Sequence, residues 1–142
     1  TTWRMALDLN RCLLFGNKDG TIRDNNPKRY YCLIDGIVGM EGMGPMQGDP
    51  VDSGVVICGT DPVAVDMTAA RVMGFDWRKL AIIREAYNLD TKPITQLRPE
   101  DVNVKSDVAE WNGHFPDIET QKFLSFKPHF GWKGHVEYEY TE

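Results

Sequence analysis

Residues 34–74 read IDGIVGMEGMGPMQGDPVDSGVVICGTDPVAVDMTAARVMG, and this stretch decides the fold. Seven of the thirteen glycines fall between Gly36 and Gly59, and the run ends in Thr60-Asp61-Pro62. Asp61 has the side chain of a helix N-cap, and Pro62 occupies the first helical position, where a missing N–H costs nothing. Gly74 sits where a left-handed residue closes a helix. The spacing therefore predicts a helix over 61–73. Just before it, Gly54–Gly59 (GVVICG) is a continuous apolar run of strand length, the pattern of a strand buried on both faces.

Working outward, Arg29–Met40 reads as a strand, with Tyr31, Leu33, Asp35 and Ile37 on one face. The alternative is a hairpin turning at Asp35-Gly36, since Asp-Gly between apolar residues is a strong turn signal. Met40–Ser53 reads as a glycine and proline loop. Upstream, Trp3, Leu7, Asn10 and Leu14 recur at helical spacing and predict a helix over 2–15. Residues 16–28 turn polar and read as a loop. Downstream, Asp76 caps a helix expected over Trp77–Tyr87. Weaker signals mark a short strand at Val102–Lys105 and a short helix at Ile118–Leu124. Eight of the fifteen aromatic residues lie between Trp111 and Tyr140, so residues 111–142 read as an aromatic-rich tail packed on the body.

Strands alternating with helices predict an α/β fold with a mixed or mostly parallel sheet and flanking helices. Residues 1–142 read as a single α/β domain and as part of a larger one. The formal net charge of −5 offers no basic stripe for nucleic acid, and no apolar run is long enough to span a membrane. Cys12, Cys32 and Cys58 are widely spaced and form no CxxC, which predicts reduced, packed thiols in a cytoplasmic setting. No iron–sulfur motif occurs, so the residues name neither cofactor nor metal, and they leave the oligomeric state open.

The glycine segment is the candidate site. It matches neither GxGxxG nor the phosphate loop GxxxxGK[ST]. Its glycines nevertheless permit close backbone approach, and a helix N-terminus favours negative charge. Gly36, Gly39, Gly42, Gly44, Gly59, Thr60 and Asp61 are accordingly the expected contacts for a small anionic or carboxylate ligand. Asp61 has the competing role of helix cap. Asp35, Glu41 and Asp66 are the candidate acid/base or hard-metal groups. Asp66 lies among Ala69, Ala70 and Met73, a setting in which a carboxylate must be paired, ligated or protonated. The exposed methionines Met40, Met43 and Met46 admit a second function, a non-catalytic module docking through this segment. No GxSxG motif supports a serine nucleophile.

These same residues carry a resemblance. Thr2-Trp3-Arg4, Asp35-Gly36-Ile37-Val38, Glu41-Gly42-x-Gly44-Pro45, Gly54-Val55-Val56-Ile57, Asp61-Pro62-Val63-Ala64-Val65-Asp66 and Met73-Gly74-Phe75-Asp76 resemble the DUF362 family, with an echo at Phe126-Lys127-Pro128. Met43 departs from the pattern, where a small polar residue is expected. The resemblance implies the C-terminal portion of a longer protein of unassigned activity. Some relatives carry a ferredoxin-type iron–sulfur module, whose cysteine spacing is not found in this sequence.

Overall fold

Helix α1 spans Thr2–Phe15, as the apolar spacing predicts. Leu7 and Leu14 turn into the core two turns apart, and Leu14 is only 1% exposed. Burial of such a side chain contributes roughly 1.5–3 kcal/mol. Asn10, on the same face, donates its Nδ2 to the Ala6 carbonyl at 2.9 Å. The structure, a computed structural model, describes residues 2–26, 28–119 and 123–138.

Strand β1 (Cys32–Gly36) is followed by β2 (Gly39–Met43), β3 (Gln47–Val51) and β4 (Val55–Gly59). β1 pairs antiparallel with β4, from Cys32 opposite Gly59 to Gly36 opposite Val55. β2 and β3 form a separate antiparallel hairpin between them in sequence, from Gly39 opposite Val51 to Met43 opposite Gln47. The short strands β5 (Asn103–Val104) and β6 (Gly113–His114) make a third antiparallel pair.

All three sheets among the described residues are two-stranded and antiparallel, which corrects the expectation of a mostly parallel sheet. The physical reason lies in the connection: a hairpin, rather than a crossover helix, separates β1 from β4, so the chain returns reversed. β4 is also not buried on both faces, because Val56 and Cys58 are exposed. Tyr31, Leu33, Asp35 and Ile37 do share one side, and it is the solvent side. The continuous strand expected through Met40 ends instead at Gly36. There the Ile37 N–H donates to Asp35 Oδ1 at 3.2 Å, a local bond that competes with the ladder.

The expected loop over Met40–Ser53 is mostly the β2–β3 hairpin. Its glycines serve close packing: a Cβ on Gly48 would lie 2.4 Å from Met40 Cγ, and one on Gly39 would lie 2.7 Å from Phe126 Cζ. Ser53 pins the hairpin to β1. Its Oγ accepts from the Gly39 N–H at 3.1 Å and donates to the Gly36 carbonyl at 2.7 Å.

Helix α2 spans Pro62–Val72. It closes as the sequence predicts: the Gly74 N–H donates to Arg71 O at 2.8 Å and the Phe75 N–H to Ala70 O at 2.9 Å. The single helix expected over Trp77–Tyr87 is split into a 3-10 turn at Trp77–Lys79 and helix α3 (Ala81–Ala86), with Leu80 extended between them. Buried Asp76 accepts the Arg78 N–H at 3.0 Å and its guanidinium at 2.8 and 2.7 Å, which tightens that first turn.

Met67, Ala70, Ile83 and Ala86 pack with Leu7 and Leu14 in one core, which Phe115 also enters. Phe126 and Val136 are buried as well, and the Phe126 N–H donates to Met73 O at 2.9 Å. The helix expected at Ile118–Leu124 falls partly outside the described residues. Cys12 and Cys58 are exposed and Cys32 is half-buried, so the expectation of packed thiols holds only in part. No helix among the described residues is long and apolar enough to cross a membrane.

Gly74 has φ +87°, and a Cβ there would meet Leu124 O at 2.8 Å. Gly74→Ala is therefore expected to lower the unfolding free energy by about 1–3 kcal/mol in urea denaturation. An unchanged midpoint would contradict this helix closure.

Candidate functional site

Asp61 is built into the backbone of the site. One carboxylate oxygen accepts the Val63 and Ala64 N–H groups at 3.0 and 2.9 Å, and the other accepts the Thr95 hydroxyl at 2.6 Å. The helix amides that could have met an anionic ligand are thus already satisfied by the chain itself. Asp61 is a cap, and its second oxygen ties the helix start to the 94–97 segment.

Two cavities lie against α2. The larger, about 860 Å³, is bounded by Ser53–Asp61 on one side and by residues around β5 and Phe115 on the other. Ala64, Val65, Thr68 and Arg71 face it from α2. The smaller, about 380 Å³, takes Val63 and Asp66 from α2, Leu7 and Asn10 from α1, and Tyr30–Leu33 from β1 and the residues before it.

The expected site residues are divided between these places. Gly59, Thr60 and Asp61 line the larger cavity, and Asp66 lines the smaller one. Gly36, Gly39, Gly42 and Gly44 line neither, nor do Asp35 and Glu41. Among the described residues no three His, Cys, Asp or Glu side chains gather closely enough to hold a metal ion.

Glu41 has a different partner. Its Oε1 lies 2.9 Å from Lys127 Nζ and its Oε2 accepts the Lys127 N–H at 2.8 Å, while the Gly42 N–H donates to Lys127 O at 2.9 Å. Glu41 stands directly opposite Asp49 across the hairpin. Two like charges in that register repel, and Lys127 offsets both. This clasp holds the hairpin to the Phe126–Pro128 segment.

Asp66 is reached by solvent, yet apolar groups crowd the rest of its surroundings, and this burial pushes its carboxyl above the ordinary range. The half-buried Cys32 thiol is pushed up too, first by burial and then by the Asp66 and Asp61 carboxylates. It stays a thiol near neutral pH and is a poor nucleophile there. The residues that the sequence did not single out are Arg71, Lys105 and Phe115, contributed to the larger cavity from separate segments. The contact that places Arg71, with Phe115, is 44 residues away and beyond any local signal.

Residues 2–71, the first half of the chain, match the model of a domain of unknown function, DUF362. The chain is a DUF362 family member. The DUF362 match takes in α1, both strands of the β1–β4 sheet, the hairpin and most of α2, and so includes Asp61 and Asp66. Its description carries no activity. No curated protein and no solved structure matches the chain.

The Lys127 backbone N–H and then its ammonium hold the Glu41 carboxyl below its ordinary 4.5. A depressed carboxyl pKa stabilises the fold above the unfolded-state value, and that contribution fades as pH falls through the folded value. NMR titration should therefore find Glu41 below 4.5, and Lys127→Ala should move it upward. A Glu41 pKa indifferent to Lys127→Ala would contradict the clasp.

Proposed function

We propose that the larger cavity binds a small molecule with an apolar body and a carboxylate or other anionic end. The observation that carries this reading is the lining itself. Apolar side chains including Val55, Ile57, Val104 and Phe115 are joined there by two cations, Arg71 and Lys105. A volume of about 860 Å³ falls within the usual size of small-molecule sites, which are mostly apolar with a few placed polar groups.

Arg71 is 9% exposed, and its guanidinium carbon stands 3.7 Å from the Phe115 ring centroid. It donates to the Phe115 carbonyl and, at 3.4 Å, to the Tyr138 hydroxyl. A guanidinium already fixed in this way presents its charge at little further cost in side-chain entropy. Since Asp61 occupies the helix amides, the cations are the groups that would meet the anionic end. Asp61, Asp101 and Asp107 also line the cavity and would repel a ligand with more than one negative charge. An acid/base role is best supported for Asp66, whereas Asp35 and Glu41 share no cavity with it.

A second reading keeps one specific observation. Met46 at the hairpin tip is 89% exposed, and Met40 and Met43 on the same hairpin are exposed too, as expected of a surface that adapts to a partner protein.

Decanoate, with an apolar chain and one carboxylate, tests the first reading by isothermal titration of the full-length protein. Saturable binding is expected, weakened about tenfold by Lys105→Glu, with the neutral analogue decanol unaffected by that change. Decanoate binding that ignores Lys105→Glu, or no binding at all, would contradict the proposal.

A further inference from the structure

We infer that the smaller cavity is a site for a small primary amine, bound as its ammonium ion against the Asp66 carboxylate. This site is separate from the larger cavity, and it does not depend on the reading given for that one.

The first observation is the charge balance of the lining. Four elements, α1, β1, α2 and α3, enclose about 380 Å³, and Asp66 is the single charged side chain among the residues lining it. Among the described residues no lysine, arginine or histidine lines the space. Neither does α2 supply a cation within one turn, because the neighbours of Asp66 at three and four residues are Pro62, Val63, Ala69 and Ala70. A lone carboxylate at the edge of a concave site that also has apolar walls gains from a cation that brings its own apolar group.

The second observation is the set of neutral groups around it. Asn10 lines the cavity, and its Nδ2 is taken by the Ala6 carbonyl, so its Oδ1 is the end left to accept. Tyr30 and Tyr31 add aromatic side chains to the lining, the Tyr31 hydroxyl being engaged with Cys58. An ammonium has three donors and no acceptor, and aromatic faces attract it, so this set fits an amine, while the Asp66 charge repels an anion. Leu7, Val63 and Ile83 give the walls against which an alkyl or aryl group would pack. The volume limits that group to roughly one ring or a short chain.

The pH behaviour follows. The other titratable groups that line the cavity are Tyr30, Tyr31 and Cys32. Burial and the nearby carboxylates raise the Cys32 thiol, and the neighbouring Cys58 raises the Tyr31 phenol. Both shifts keep these two neutral from acid to neutral pH, where the Asp66 carboxyl ionises. Amine affinity should rise as Asp66 ionises, and by linkage a bound amine should lower the pKa of Asp66.

Benzylamine and its neutral analogue benzyl alcohol are the probes, used on the full-length protein at millimolar concentration. Benzylamine is expected to bind, and Asp66→Asn to weaken it at least about tenfold while leaving benzyl alcohol unchanged. In the wild-type protein, saturating benzylamine should lower the Asp66 pKa measured by NMR, a readout that requires no variant to fold. Wild-type benzylamine affinity in Asp66→Asn, an Asp66 pKa that ignores the amine, or no benzylamine binding would each overturn the proposal.

Discussion

The Asp61 carboxylate is the interaction on which the rest of the structure depends. Its two oxygens receive the first free amides of α2 and the hydroxyl of Thr95. That single side chain fixes where β4 stops, where the helix starts and where the 94–97 segment lies. Gly74 fixes the other end of α2 by receiving it into a left-handed turn. A helix pinned at both ends can act as a partition, and α2 does so with two different faces. Val63 and Asp66 look into one cavity, while Ala64, Val65, Thr68 and Arg71 look into the other.

The parts of this arrangement legible in the sequence are those governed by local chemistry. The bounds of α1 and α2, the Asp61 cap and the Gly74 closure all follow from residues within a turn of one another. The hairpin was not legible, because its signals were ambiguous in one dimension. Gly39, Gly42, Gly44 and Gly48 read equally well as a loop that admits a ligand and as strands whose side chains must be missing. Only the structure brings Phe126 against Gly39 and Met40 against Gly48. The parallel sheet failed for a related reason, since a short apolar run such as GVVICG cannot report the direction of its partner.

The site shows the same division. The sequence singled out carboxylates for their apolar surroundings, and Asp66 has such a setting at the edge of a cavity. The partner of Glu41, Lys127, stands 86 residues away in sequence, so no local signal reports the pair. Arg71 and Lys105 were passed over because nothing local marks a cation as the polar element of an apolar cavity. What distinguishes the two cavities is their charge pattern: one is lined by two cations and three carboxylates among apolar groups, the other, among the described residues, by one carboxylate without a cation. The DUF362 match takes in the helix that separates them without assigning a reaction to either.

Amide hydrogen exchange tests the partition most directly, because protection reports how firmly each segment is held. If α2 is pinned as described, the amides of residues 66–72 exchange among the slowest in the protein and more slowly than those of the 39–51 hairpin. Asp61→Ala then accelerates exchange throughout α2 while leaving the hairpin nearly unchanged. Amides of α2 that exchange as fast as the hairpin in the wild-type protein, or that ignore the loss of Asp61, would contradict the account.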